Sequence, residues 1–110
     1  ALVLLVARTN GQAVLPFGFV DELVADGFDL PTDFCFLPGG SDQRYIVLEK
    51  NGEVKLVVNG NTAGTLFLDI KERVNSYLDR GLVGCAVDTS FSSNPYVYLS
   101  YSFDSGNMLA

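Results

Sequence analysis

Histidine is absent from this 110-residue sequence. Without it, the chain cannot by itself complete a Ser-His-Asp triad, a Cys-His pair or a histidine-ligated metal site. Cationic residues are also scarce: seven Lys and Arg stand against thirteen Asp and Glu, for a net charge of −6. Nucleic acids and anionic membrane surfaces bind cationic faces. The sequence therefore argues against both as partners.

Long apolar runs are missing too. The run Ala1–Ala7 has seven residues, whereas a membrane-spanning helix needs roughly 20. It would suit the second half of a signal-peptide core, and residues 11–13 (Gly-Gln-Ala) offer a small-x-small cleavage site. We therefore predict that residues 1–13 are the remnant of a signal peptide of an exported protein, secreted or periplasmic, and that residues 14–110 belong to the folded domain. A buried first strand is the alternative interpretation of the apolar run.

The apolar residues that are present predict an all-β fold. Val, Ile, Phe and Tyr occur in short runs separated by Gly, Pro, Asn and Asp, which is typical of many short strands. Asn51-Gly52 favours a hairpin with a type I′ turn, and Asn59-Gly60 marks the next turn. Residues 19–25 are interpreted as a further strand, although their apolar spacing also fits a helix. Four consecutive strands are predicted to form one antiparallel meander, at residues 32–37, 44–49, 53–58 and 65–69.

The sequence also repeats itself. Shifted by 51 positions, residues 45–48 (Tyr-Ile-Val-Leu) align with residues 96–99 (Tyr-Val-Tyr-Leu), and residues 34–36 align with residues 85–87. This period suits one four-stranded blade and its connections, so it predicts a β-propeller. Propellers close with roughly four to eight blades. We therefore expect one blade and the start of a second, in a domain that continues beyond the chain; a small self-contained antiparallel sheet or sandwich is the alternative.

Several stretches resemble one known family in order along the chain. The resemblance, which covers about residues 19–103, is to the glucose/sorbosone dehydrogenases, relatives of the soluble quinoprotein glucose dehydrogenases. Its most specific part is the Gly-Leu-Val-Gly-Cys-Ala strand that begins at Gly81, followed by Asn-Pro-Tyr-Val-Tyr-Leu. The matching stretches are residues 30–38, 48–54, 67–70, 80–88 and 91–99.

This resemblance implies a six-bladed propeller whose enzymatic members oxidise sugars with pyrroloquinoline quinone (PQQ) and bound calcium. The family's catalytic base is a His in a later blade, so the resemblance implies no catalytic residue here. We expect no quinone, calcium or other metal to be bound by these residues alone. Relatives such as the hedgehog-interacting proteins use the propeller for binding. A non-catalytic extracellular propeller that binds protein or glycan is therefore the alternative function.

The resemblance points to two candidate cofactor-binding residues, Asp79 and Arg80. They precede the strand at Leu82 in a loop that, in a propeller, lies at the mouth of the central channel. The family has Gln or Glu in contact with the quinone at the place of Asp79. An anionic Asp79 would repel the three carboxylates of the quinone unless a proton, a cation or Arg80 intervenes. The alternative is that both residues only satisfy loop backbone groups and solvent.

The remaining candidates have simpler interpretations. Cys35 and Cys85 allow one disulfide between blades, because the repeat places them on opposite faces of their sheets; two buried free thiols are the alternative. The aromatic residues near the end of the sequence are interpreted as packing between blades. These aromatic residues are Tyr96, Tyr98, Tyr101 and Phe103. Asp26, Asp29 and Asp33 are loosely spaced and match no calcium loop. Asp69 and Glu72 are interpreted as solvated or as capping a turn.

Overall fold

The computed structural model describes residues 2–4 and 14–103, and this part of the protein is all-β. As predicted, the strands from residue 31 onward pair antiparallel, and no helix occurs among the described residues. None of the described segments is thus a helix that could cross a membrane. The strands are β1 Leu2–Leu4, β2 Asp21–Leu23, β3 Pro31–Leu37, β4 Arg44–Glu49, β5 Glu53–Val58, β6 Asn61–Thr62, β7 Leu68–Asp69, β8 Leu82–Val87 and β9 Val97–Tyr101.

The first blade consists of β3, β4 and β5 in consecutive antiparallel pairing, with a broken fourth strand. The fourth position is shared by β6 and β7, which pair with opposite ends of β5. The predicted strand at residues 65–69 was therefore too long, since only its last two residues form a strand. The chain leaves the edge of β5 around Gly64 and returns where the Phe67 amide donates to the Val54 carbonyl, at 2.9 Å.

The two predicted turns both occur, but the type I′ geometry lies at the second. Type I′ requires positive φ at both central residues. Asn59 and Gly60 meet this requirement, with φ of 50° and 82°. In the turn between β4 and β5 only Gly52 has positive φ, and its amide donates to the Glu49 carbonyl at 3.0 Å. That connection is therefore a three-residue loop, and the type I′ prediction for Asn51-Gly52 was wrong.

The second unit is the hairpin of β8 and β9, and it repeats the hairpin of β3 and β4. Each has a register irregularity at the same place, between Pro31 and Asp33 in the first and between Leu82 and Gly84 in the second. These positions are 51 residues apart, as predicted. The second strands are offset by 52, however, because Pro31 pairs with Glu49 whereas Leu82 pairs with Tyr101.

The gapless alignment of residues 45–48 with 96–99 was therefore off by one position. The connection between β8 and β9 accommodates one more residue than the connection between β3 and β4. In that connection the amides of Ser93 and Asn94 both donate to the Ser90 carbonyl, which makes a tight turn of its own. The alignment failed because sequence similarity between two apolar strands does not reveal the length of the turn between them.

Two hydrophobic clusters cover opposite faces of the first blade. One lies between the blade and the β8–β9 hairpin and includes the buried residues Ile46, Leu48 and Leu82. The other lies under the segment that precedes β3 and includes Phe28 and Tyr45. All side chains of residues 45–49 are consequently buried. Strand β4 is the centre of the described structure.

The segment before the first blade contains the predicted strand, although a shorter one. Residues 19–25 were predicted as a strand, and β2 occupies three of them. It pairs in parallel with β1, with Leu2 opposite Asp21. Strand β1 lies in the predicted signal-peptide segment 1–13. The predicted cleavage site at residues 11–13 lies outside the described residues, so the signal peptide and the 14–110 domain boundary stay predictions.

Candidate functional site at the loop end of the blades

Three connections meet at one end of the sheets, and Lys50 joins them. Lys50 follows β4, and its amide donates to the Leu30 carbonyl at 3.0 Å. Its own carbonyl accepts from the Leu82 amide at 3.0 Å, and its ammonium donates to the Ser76 carbonyl at 2.9 Å. The loop of residues 70–81 is thus anchored to the first blade just before it enters β8. Gly81 is required there, because a Cβ would lie 2.7 Å from the Lys50 carbonyl oxygen.

Asp79 and Arg80, the predicted cofactor-binding residues, lie in a turn on this loop. The Arg80 amide donates to the Tyr77 carbonyl at 3.1 Å, and Leu78 within the turn has a φ of +54°. A bulky residue rarely adopts this left-handed conformation, so the turn is strained. Asp79 is exposed and Arg80 is half-buried. Within residues 14–103, neither side chain has a hydrogen bond or an ion pair.

The position of the two residues therefore agrees with the predicted loop before β8, but their role stays a prediction. Arg80 was a candidate from the sequence, whereas Lys50 was not identified. The signal for Lys50 was available, because the turn after β4 and the loop into β8 must emerge at the same end of antiparallel strands. Its ammonium group is already committed to a loop carbonyl, so it acts as an anchor of the loop.

The described residues at this end do not by themselves fit the group that the resemblance implies. PQQ carries three carboxylates, whereas the predicted pair Asp79 and Arg80 offers one exposed carboxylate and one half-buried guanidinium. Calcium takes six to eight oxygen ligands. Across residues 14–103, the one cluster of potential metal ligands lies elsewhere and contains two sulfur atoms. Any PQQ and calcium held by this protein would need groups from other parts of it.

A buried carboxylate was missed by the sequence reasoning. Glu49 ends β4 and is fully buried. Its Oε2 accepts from the Asp29 amide at 2.7 Å and pairs with the Lys55 ammonium at 2.9 Å. Its Oε1 has no hydrogen-bond partner among the described residues. Glu49 thereby fastens the segment before β3 to the first blade. The alternation of side chains along β4 could have revealed the burial of Glu49, since Glu49 lies on the same face as Tyr45 and Val47.

An exposed ion pair lies at the start of the loop of residues 70–81. The Lys71 ammonium contacts Glu53 at 2.9 Å and Asp69 at 3.8 Å. The hydrogen bond from Lys71 lowers the pKa of Glu53, and the same bond raises the pKa of Lys71. Asp69 also accepts from the Lys71 amide at 3.0 Å, which is the turn-capping role predicted for it. These contacts hold the start of the 70–81 loop against β5.

The first blade and the hairpin of β8 and β9 meet at the strands β3 and β8. The Thr32 hydroxyl donates to the Leu82 carbonyl at 2.7 Å, and the Cys85 amide donates to Asp33 Oδ2 at 3.1 Å. Cys35 and Cys85 form a disulfide with a Cα–Cα distance of 6.4 Å. This is the arrangement that the repeat allowed, so of the two alternatives the bridge is correct. The residues of this contact, Thr32, Asp33, Cys35, Leu82 and Cys85, are called the blade joint below.

The tyrosines on and near β9 differ in their surroundings. Tyr101 packs against the core between the two sheets, as predicted. Tyr96, Tyr98 and Phe103 are more than half exposed in the described structure, so packing between blades does not account for them there. The Tyr98 hydroxyl donates to Asp88 Oδ2 at 2.7 Å. This bond, together with the Ser90 amide, lowers the pKa of Asp88, and the same contact with Asp88 raises the pKa of Tyr98.

Comparison with known families agrees with this architecture. A family model described as glucose / sorbosone dehydrogenase matches residues 28–109. The match begins just before β3 and includes the first blade and the hairpin of β8 and β9. Searches of curated proteins and of solved structures gave no match.

Proposed function

Because the chain belongs to the glucose/sorbosone dehydrogenase family, we propose that it forms the first blade, and the inner hairpin of the second, of an exported propeller that oxidises a sugar with PQQ. The family match over most of the chain carries this proposal. Further blades of the same protein complete the ring and provide the His base and the calcium ligands. The part described above contributes the frame and one loop at the mouth of the site.

The disulfide supports the export of the protein. Disulfides persist in secreted and periplasmic proteins and are rare in the reducing cytosol. The bridge from Cys35 to Cys85 joins two successive repeats. An oxidising compartment is the setting in which this bridge forms, and it agrees with the predicted signal peptide.

The role proposed for this chain in binding the quinone is electrostatic. Arg80 offers the donors that suit a carboxylate, whereas the exposed Asp79 lowers the affinity for an anionic ligand. The strained turn at Leu78 fixes where both side chains leave the loop. We expect Asp79→Asn to preserve the fold, because the Asp79 side chain has no partner within residues 14–103. The substitution should strengthen PQQ binding roughly fivefold, the effect of one nearby charge in water.

The experiment uses the intact protein with calcium. PQQ affinity is measured by fluorescence quenching, and sugar oxidation is followed with a dye acceptor, for wild type and for Asp79→Asn. Asp26→Asn is the matched control, because Asp26 is an exposed carboxylate on the connection before β3. A tighter quinone complex only for Asp79→Asn supports the proposal. Equal affinities in all three proteins would show that Asp79 is an ordinary loop residue.

A second candidate function is a non-catalytic propeller that binds protein or glycan. The observation that favours it is the tip of the same loop, where Leu78 is 72% exposed beside the exposed Tyr77. Exposed aromatic and aliphatic side chains at a loop tip suit a binding surface. If the intact protein binds no quinone in the presence of calcium, this function replaces the enzymatic one. Loss of ligand binding in Tyr77→Ala would then identify the surface.

A further inference from the structure

We propose that the blade joint is a metal site when its disulfide is reduced, with the thiolates of Cys35 and Cys85 and the carboxylate of Asp33 binding one Zn²⁺. The same contact between β3 and β8 is then held by a covalent bond under oxidising conditions and by a metal ion under reducing conditions. This inference does not depend on the proposed enzymatic function, since it concerns the joint and not the mouth of the propeller.

The three residues already place their ligand atoms together. The two Sγ atoms and a carboxylate oxygen of Asp33 lie within 4.8 Å of one another. Asp33 Oδ2 is 3.8 Å from Cys85 Sγ. Two ligands of one tetrahedral zinc, with Zn–S near 2.3 Å and Zn–O near 2.1 Å, are separated by about 3.6 Å. The Asp33 carboxylate is thus at the distance from the sulfur at which zinc would hold it.

Backbone hydrogen bonds fix the orientation of the carboxylate. Asp33 Oδ1 accepts from the Phe34 amide at 2.8 Å, and Oδ2 accepts from the Cys85 amide at 3.1 Å. Such supporting contacts orient ligands in metal sites and raise their affinity. Each carboxylate oxygen has further acceptor capacity, so Oδ2 can bind a metal ion as well as the amide.

The strands that carry the three ligands are held by contacts other than the disulfide as well. Asp33 and Cys35 lie on β3 and Cys85 on β8, and both strands have antiparallel partners of their own. The bond from Thr32 to the Leu82 carbonyl also joins the two strands. The three ligand residues are half-buried, so solvent and an ion reach them. Three protein ligands leave the fourth tetrahedral position of zinc for a water molecule.

The chemistry of the exchange balances. A phosphine reductant gives two electrons to the S–S bond and becomes the phosphine oxide with an oxygen from water, while each sulfur takes up one proton. Zinc then displaces both thiol protons to solvent and binds two thiolates, as metal binding to cysteine requires. A small-molecule disulfide restores the bridge and releases the ion: it accepts two electrons from the thiolates and, with two protons from solvent, becomes two thiols.

The test is a Co²⁺ titration of the intact protein after reduction with a phosphine and removal of the reductant without air. Co²⁺ reports thiolate ligands by charge-transfer absorption and tetrahedral geometry by its d–d bands. We expect one Co²⁺ per chain, displaced by Zn²⁺, and no such binding before reduction. The double variant Cys35→Ser/Cys85→Ser should lack the signal, which assigns it to these two sulfurs.

Asp33→Asn keeps both thiols and, in the oxidised protein, the bridge, so its fold is checked by circular dichroism before reduction. The amide still accepts a backbone hydrogen bond but is a poorer ligand, and we expect the Co²⁺ affinity to fall at least about tenfold. Asp26→Asn is the control and should leave the affinity unchanged. An absent charge-transfer band, one ion shared by two chains, or unchanged affinity in Asp33→Asn would each overturn the proposal.

Discussion

The β3–β4 hairpin and the β8–β9 hairpin have the same register irregularity at the same relative position, yet their environments differ. Strand β4 has another strand on each side and a hydrophobic cluster on each face, so residues 45–49 are all buried. In β9 half-buried and exposed residues alternate from Val97 to Tyr101. A local sequence pattern thus specifies the hairpin, while its neighbours decide how much of the hairpin is buried.

Side chains at matching positions follow this difference. Leu37 and Ile46 lie diagonally opposite each other on β3 and β4 and are both buried in the core. The matching positions on the second hairpin are Asp88 and Tyr98, which form a hydrogen bond on a surface with substantial solvent exposure. An apolar pair is stabilised by removal from water, and a polar pair retains contact with it. The polarity of each pair therefore matches the solvent exposure of its side of the sheet.

The largest predicted effect concerns the bridge that joins the two hairpins. Cys35 and Cys85 are separated by 50 residues, and closing such a loop stabilises the fold by on the order of 4 kcal/mol in the chain-entropy account. Reduction should lower the free energy of unfolding by about this amount, as measured by urea denaturation. The variant Cys35→Ala/Cys85→Ala should be similarly weakened and insensitive to the reductant. Equal stability with and without reductant would mean that the hairpins need no covalent link.

The next largest effect is expected from a core substitution in the first hairpin, compared with a substitution at the matching position of the second. Ile46→Ala removes a fully buried side chain and leaves a cavity, and we expect a loss of roughly 3 kcal/mol. Tyr98→Ala, at the matching position of the second hairpin, removes a side chain that is 55% exposed. Its effect on urea denaturation of the same chain should be much smaller. A comparable loss for both in this chain would contradict the difference in burial between the two hairpins.

A smaller effect is expected at the two residues that precede the inner strands. Gly81→Ala would place a Cβ 2.7 Å from the Lys50 carbonyl oxygen, and such forced shifts typically cost about 1–3 kcal/mol. The matching residue before β3 is Leu30, which is largely exposed. We expect Leu30→Ala to leave the thermal midpoint nearly unchanged. An unaffected Gly81→Ala would mean that the loop does not approach Lys50 as closely as described.

The smallest effect is a pH dependence confined to the second hairpin. Because the folded-state pKa of Asp88 is lowered by its bond from Tyr98, the stabilisation is present above the unfolded-state value near 4. It is lost as the pH falls through the folded-state pKa. The pKa of Tyr98 is raised, so its stabilisation is complete below about pH 10 and is lost as the pH rises through the folded value.

Tyr98→Phe should remove the alkaline dependence and weaken the acidic one, since the Ser90 amide still donates to Asp88. The difference in unfolding free energy between wild type and variant is the quantity to follow across pH. The variant should differ from wild type near neutral pH and match it more closely at both extremes. A constant difference from acid to alkaline pH would show that the Asp88–Tyr98 bond does not form.

Much of the fold was predictable because it depends on local signals. Alternating apolar residues and turn residues gave the strands, and the period of 51 gave the relation of β3 to β8. The extra residue between β8 and β9 was not predictable, because turn length is not encoded in the strands that it connects. The broken strand at β6 and β7 was missed for a similar reason, since its pairing depends on how β5 presents its edge.

The candidate site was predictable only in part. The resemblance located Asp79 and Arg80 on the loop before β8, and the structure places them there. Lys50 and Glu49 were missed because their roles arise from contacts across 20 or more residues, to Ser76 and Asp29. The contact of Asp33 with Cys85 was missed because it is set by the packing of one repeat on the next.

The central claim is that β3 and β8 are neighbouring inner strands of successive blades. The most direct measurement is protease digestion of the intact, unreduced protein followed by mass spectrometry. The account predicts one linked peptide pair that contains Cys35 and Cys85 and separates on reduction. Two unlinked cysteine peptides, or either cysteine joined to a different partner, would contradict it.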